Sequence, residues 1–591
     1  MARTRTTVVD LEAQVSARRL MADTHALARW VRLSGSPEER EAFRYIQGQM
    51  RRAGCATRLL VHDAFISLPG PASLAVIAGD AAQPVPCVTH SFAAPTGGEG
   101  LEADAVFAGA GRPADLAAVG VAGRIAVVDG LASPDRVHAA GGAGAAGLVC
   151  LNRDRLAHEM IVSPVWGNPG PADLERLPRL PVVSVAGEAA GRLREAVRAG
   201  GARLRVTAEV DTGWRPTPIL LADLPGAVED TFVLFTGHVD SWHRGAMDNG
   251  TANATMMEVA RILAGVRRYR GVRFAFWSGH SHGRYSGSTW YADTAWQELH
   301  DRCVVNVNVD SVGARGSVVN RHAWATPETR ALADRVIRRV AGVPFEGSRV
   351  GRAGDHSFLG VGIPSMLMSL SEQAADSPDA SADFTIRSGA TGGLGWWWHT
   401  TDDLPDKIDP ARLVRDCRIY LGVVHALATE PVLPLDYGAA AREWLAALRA
   451  LPRAAGRHVA LAPVVAEARR LVRATAALER RAAAVRRRPA RRAVRAVNAA
   501  IMAMGRALLP AAHTRAGRFD HDPALEQRGV PLLETVRALG DAAGDAARHL
   551  AVQAQRDLNA VRYALRQAAE AAEAGARRGR SAAGGRDGGP R

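Results

Sequence analysis

Cysteine is scarce in this sequence: Cys55, Cys87, Cys150, Cys303 and Cys417 are odd in number and widely scattered. That pattern excludes a disulfide framework and any Cys-x-x-Cys metal knuckle. No apolar run approaches the roughly 18 residues a membrane span needs, so none is expected. The basic opening Met1-Ala2-Arg3-Thr4-Arg5 leads into Val8-Val9-Asp10-Leu11-Glu12 rather than an apolar signal core, and a reducing, cytoplasmic setting is the expectation. Gly-rich stretches such as Gly141-Gly142-Ala143-Gly144 lack P-loop spacing, which argues against a phosphate cradle. The formal charge is +14, yet the basic residues are nearly all Arg and many lie after residue 435 in Ala/Arg-rich helical sequence. They read as solvated helix faces. No nucleic-acid module is recognisable, and no nucleic-acid partner is expected.

What is present is material for more than one core. At 591 residues, with 47% hydrophobic and 23% charged side chains, the chain has ordinary globular composition spread over several domains. Residues 1–69 read as largely helical, with Ser36-Pro37-Glu38-Glu39 as a helix start and a strand from Thr57 to His62. From 70 to 212 the texture changes to short apolar strands separated by Gly and Pro. Arg124-Ile125-Ala126-Val127-Val128-Asp129, Gly147-Leu148-Val149-Cys150-Leu151-Asn152 and Leu180-Pro181-Val182-Val183-Ser184-Val185 are the clearest. This segment resembles the protease-associated domain, which implies a β-rich insert with a lid or substrate-selecting role. From 213 to 432, strands at Phe232–Phe235, Val272–Trp277 and Val304–Val309 alternate with helical sequence such as 250–265. That predicts an α/β sheet with functional loops at the strand ends. Residues 433–576 are Ala, Leu and Arg at helical periodicity, and 577–591 read as a disordered tail.

The chemistry lies at the strand ends of the α/β segment. His238 and Asp240 end one strand, Asp248-Asn249-Gly250 opens the next helix, and Asn308-Val309-Asp310 ends a later strand. His399-Thr400-Thr401-Asp402 comes further on. Imidazole and carboxylate are the ligands that hold zinc, and a carboxylate on a tight loop such as Asp248 can bridge two metals. Asp240, two residues from His238, is placed to support the imidazole or its loop. Each residue alone is weak: a His at a strand end is usually structural, and Asp-Asn-Gly is usually a turn. The ordered set carries the argument.

That set, with Asp355-His356-Ser357-Phe358, resembles the M28 family of metallopeptidases. The resemblance implies an aminopeptidase-like mixed sheet flanked by helices and one or two zinc ions. His238 and Asp310 would hold one metal, His399 the other, and Asp248 would bridge them, with Asp240 as the supporting aspartate. A peptide or small amide would be the substrate, with Asp355, His356 and Trp398 near it. Trp396-Trp397-Trp398 reads equally as pocket wall or core packing. The family's pattern breaks at one place. Its Glu-Glu pair, general base and metal ligand, is replaced in Phe276-Trp277-Ser278-Gly279-His280-Ser281-His282-Gly283 by His280 and Ser281. His280 is read as the proton acceptor and His282 as a possible extra ligand. A modified two-metal site, a one-metal site and a degenerate site all remain open.

The sequence from Val497 to Pro510, followed by Gly517-Arg518-Phe519-Asp520-His521-Asp522-Pro523, resembles the helical dimerisation domain of transferrin receptor and glutamate carboxypeptidase relatives. It implies a homodimer formed through the C-terminal helices. The leading expectation is a zinc-dependent peptidase or amidohydrolase. The alternative is a non-catalytic dimeric binding or scaffold protein on a peptidase fold.

Overall fold

The computed structural model describes residues 7–577 apart from 80, 319, 389 and 390. The expected tail, 577–591, lies outside the described residues except for Arg577, which closes the last helix. The first long helix, Pro37–Arg52, forms where Ser36 Oγ accepts the Glu39 N–H at 3.1 Å and Pro37 presets the first turn. Its buried face is Ala42, Phe43, Ile46 and Met50, a helical stripe packed on the main core.

Strands Phe232–His238, Gly271–Trp277 and Cys303–Asn308 run parallel and are buried along their whole length. Such strands carry apolar side chains on both faces because helices cover both, so their sequences do not alternate. Helices Ala252–Ala264 and Pro410–Thr429 supply much of that cover. The short strand Ser365–Met366 extends the sheet on one side of Cys303–Asn308.

Two strands of unusual length tie this sheet to a second one. Ala56–Ala78 and Arg203–Leu224 pair antiparallel from Ala56↔Asp223 to Ile77↔Arg203, with a register shift between Pro69 and Ala72. One end of Arg203–Leu224 joins Gly271–Trp277, and the other joins Leu101–Phe107. Beyond that ribbon, Leu101–Phe107, Ile125–Asp129, Gly147–Leu151 and Val182–Val185 form a parallel sheet with its own apolar clusters. The architecture is therefore α/β with a large mixed sheet flanked by helices, followed by a helical region.

That helical region contains Tyr437–Arg449, Ala462–Arg487, Arg491–His513 and Gly544–Arg577. Its apolar stripes pack on one another and are continuous with the core of the main sheet. Arg506 anchors it: the buried guanidinium donates to the carbonyls of His300, Leu299, Cys303 and Gly362 at 2.6 to 3.3 Å. Among the described residues, no helix is long and apolar enough to cross a membrane. The five cysteines are all free.

Candidate metal centre

His238 is the last residue of its strand, and Asp310 lies two residues beyond the end of the neighbouring parallel strand. Both therefore emerge at the carboxyl edge of the sheet, where α/β folds place their sites. The His238 imidazole is buried, and Nδ1 donates to the Asp240 carbonyl at 3.0 Å. That bond fixes Nδ1 as a donor and turns Nε2 toward two carboxylates, 3.1 Å from Asp248 Oδ1 and 3.6 Å from Asp310 Oδ2.

Asp248 is presented by a turn in which Gly245 has φ +50°. A Cβ there would lie 2.2 Å from the Asp248 carbonyl oxygen, so no larger residue fits. The turn is held from below by Asp403, whose carboxylate accepts the N–H groups of Met247 and Asp248 at 2.8 and 3.0 Å. Arg32, fully buried, donates to the carbonyls of Leu27, Val239, Arg244 and Gly245 and so fastens the 238–240 and 244–245 loops together. On the far side, Asp248 Oδ2 lies 3.1 Å from His399 Nε2. The carboxylate thus spans the two imidazoles.

His399 donates from Nδ1 to the Glu159 carbonyl at 2.7 Å, and its ring stacks on Trp398 at 3.5 Å between centroids. Of the tryptophan run, Trp397 is buried in the core, whereas Trp396 and Trp398 are half-buried.

Asp240 organises the variant loop. Its buried carboxylate accepts the N–H of Ser281 at 2.8 Å, the N–H of His280 at 3.3 Å and the Ser34 hydroxyl at 2.9 Å. Burial opposes its charge, but the neighbouring imidazoles, His238 foremost, hold its carboxyl well below the usual range. His280 lies against the site with its ring parallel to that of His238, and Nδ1 donates to Asp355 Oδ2 at 2.8 Å. Ser281 is 1% exposed, and its hydroxyl has no hydrogen-bond partner.

The ligand-type atoms of His238, His280 and Asp310 all lie within 4.8 Å of one another. The rings of His238 and His280 are nonetheless stacked 3.7 Å apart and 9° from parallel. An ion in the plane of one imidazole sits a full stacking distance out of the plane of the other. The two imidazoles are therefore not arranged to share one ion in both ring planes.

Three expected residues are placed elsewhere. His282 turns away: Nδ1 lies 3.0 Å from Ser34 Oγ, the ring packs on Trp242, and burial pushes its pKa down to about 4. Asp355, expected to face substrate, is 1% exposed and bonds His280 instead. His356, also buried, turns its Nδ1 to Ser365 Oγ at 2.6 Å. Residues that sequence reasoning missed are Arg32, Ser34, Glu159 and Asp403. Each acts through a backbone or supporting contact, which leaves no motif to find.

Whether the centre suits a cation is decided by its orphaned atoms. His238 Nε2 and Asp248 Oδ1 face each other at 3.1 Å, both buried, and neither has another hydrogen-bond partner among the described residues. Burial disfavours charge on His238, yet Asp310, Asp240 and Asp248 outweigh it and draw the imidazole well above its ordinary pKa. Such a pocket is short of positive charge. A bound divalent cation would satisfy both atoms and the excess of carboxylate.

Residues 220–424 match peptidase family M28. The match falls on the α/β segment that carries the centre described above. A probable glutamate carboxypeptidase of Zea mays is 26% identical over 500 residues, covering 71% of this chain and 68% of the relative. An aminopeptidase of Bacillus subtilis is 25% identical over 393 residues, covering 65% of this chain and 78% of the relative. Among solved structures, an M28 peptidase precursor from Shewanella amazonensis superposes with a TM-score of 0.57 at 18% identity, covering 72% of this chain and 97% of that one. A zinc aminopeptidase from Bacillus subtilis gives 0.54 at 20% identity, with 71% and 97% covered. These two likenesses concern the fold.

Proposed function

We propose that this protein is a zinc-dependent hydrolase of a peptide or peptide-like amide in which His280 takes the place of the family's glutamate base. The observation that carries the reading is the Asp248 carboxylate, 3.1 Å from His238 Nε2 on one side and 3.1 Å from His399 Nε2 on the other. His238, Asp248 and Asp310 would hold the metal. His399 marks a second, poorer position, since Ser281 offers a hydroxyl where the family has a carboxylate. When bound, zinc supplies a Lewis acid for the amide carbonyl and lowers the pKa of water.

The chain's own residues then move the proton. Asp355 accepts the His280 Nδ1–H, so the Nε2 lone pair is the free basic atom, 3.9 Å from Asp310 Oδ2. His280 Nε2 takes the proton of the attacking water and returns it to the leaving nitrogen. Trp398 and Trp242, on either side of His399, keep bulk water from that edge.

The test is zinc content of the purified protein together with hydrolysis across aminoacyl and N-acyl substrates. Stoichiometric zinc and turnover that vanish in His238→Ala and Asp248→Ala are expected. Unchanged activity in either variant overturns the reading. Absence of both metal and turnover favours the second reading, a binding or scaffold protein, which the loss of both glutamates motivates. We further propose that helices within 437–577 carry a homodimer, for which sedimentation is the check. The five free cysteines support a cytoplasmic setting.

A further inference from the structure

His399 is a non-glycine residue at φ +58°, in the left-handed region that L side chains rarely adopt. Such a conformation persists only when its surroundings over-determine it. The restraint comes from the segment that follows strand Gly147–Leu151, in the second sheet's domain. Glu159 donates its N–H to the His399 carbonyl at 3.1 Å and accepts the His399 Nδ1–H at 2.7 Å. A carbonyl oxygen only accepts, so Nδ1 carries a proton and Nε2 is the nitrogen turned toward Asp248.

What holds Glu159 in place is a buried network. His158 donates from Nδ1 to the Trp398 carbonyl at 2.5 Å, and its Nε2 lies 2.9 Å from Asp154 Oδ2. Asp154 also accepts the Ser381 hydroxyl and the Ala382 N–H. Asp383 accepts the N–H groups of Arg153 and Asp154 at 2.9 and 3.2 Å, which sets the turn. The backbone N–H of His158 is tied to Asn152 at 3.1 Å. Asp154, His158 and Asp383 are close enough together to suggest a cation site. Both nitrogens of His158 and both oxygens of Asp154 are nevertheless already engaged with protein partners, so a hydrogen-bonded clasp accounts for them.

We propose that the Asp154–His158 pair is the positioning device for His399, by which one domain fixes the backbone and tautomer of an imidazole in the other domain's metal centre. This rests on the reading of His399 as part of that centre. The pair touches no reacting atom and acts only through Trp398 and Glu159.

The experiment uses the full-length chain with ¹⁵N-labelled histidine, measured without metal, His399 being assigned through His399→Gln. Wild type is expected to show His399 as a single Nδ1–H tautomer. His158→Ala and the milder Asp154→Asn are expected to show mixed tautomers. With zinc added, kcat is expected to fall about 10- to 100-fold with KM within about twofold. Arg153→Ala, whose exposed side chain is removed while its backbone N–H to Asp383 stays, is expected to leave both unchanged. A folded His158→Ala or Asp154→Asn that keeps the single tautomer overturns the proposal. Loss of an equivalent of bound metal without a tautomer change also overturns it, in favour of a second cation site. Should the centre bind no metal, the tautomer result still stands, which separates the two failures.

Discussion

The imidazoles of His238 and His280 lie parallel, 3.7 Å apart between centroids and 9° between planes. A metal ligand needs the ion in its own ring plane, so only one of the pair ligates a given ion. His238, with Asp248 and Asp310 facing its Nε2, is that one in the proposed reading. His280, backed by Asp355, is then the base in the proposed mechanism. His280→Ala is therefore expected to keep its zinc and lose about 10²- to 10⁴-fold in kcat. Metal analysis alongside kinetics checks this, and zinc loss in that variant would contradict it.

Ser281 predicts the metal count. Its N–H is fixed on Asp240, its buried hydroxyl is unpartnered among the described residues, and in the proposed reading it stands where a second metal would need a carboxylate. Wild type is expected to hold one tight zinc per chain. Ser281→Glu should raise that toward two, read by metal analysis after dialysis, with circular dichroism confirming the fold.

Asp240 carries the variant loop on three hydrogen bonds from Ser34, His280 and Ser281. In Asp240→Asn the amide nitrogen would confront one of those donors. A loss on the order of 2–4 kcal/mol is expected, because buried donors are left without an acceptor. Urea unfolding followed by fluorescence measures it. Stability within about 0.5 kcal/mol of wild type would show that the loop does not depend on this carboxylate.

Glu328, 1% exposed, is pushed up by burial to about 7 from an ordinary 4.5. The folded chain therefore binds more protons than the unfolded chain between those values. Its contribution to stability is fully present below about 4.5 and lost as pH rises through about 7. Glu328→Gln should match wild type near the acid limit and exceed it at pH 8, by up to about 3 kcal/mol at 1.36 kcal/mol per unit. Denaturation midpoints across that range test it, and parallel curves for the two proteins would refute it.

The α/β alternation, the ordered residues His238, Asp248, Asp310 and His399, and the replacement of the glutamate pair at His280 and Ser281 are all legible along the chain. They are legible because strand ends, metal-type side chains and turn glycines are local features with fixed residue types. The supports are not. Arg32 works through carbonyls of five residues, Asp403 through two N–H groups, and Glu159 through its own backbone. Backbone contacts of that kind can be made by many sequences.

Sequence by itself therefore determined which residues assemble at the sheet edge and that the expected carboxylates are missing. Only the tertiary structure decided how His280, His282 and Asp355 are oriented, and so which roles are proposed for them. Their roles depend on ring planes and on which nitrogen meets which acceptor. Asp355 approaches His280 from 75 residues away, and Ser34 approaches His282 from 248. Such orientations are set by packing between distant segments, because a hydrogen bond depends on direction as well as on residue type.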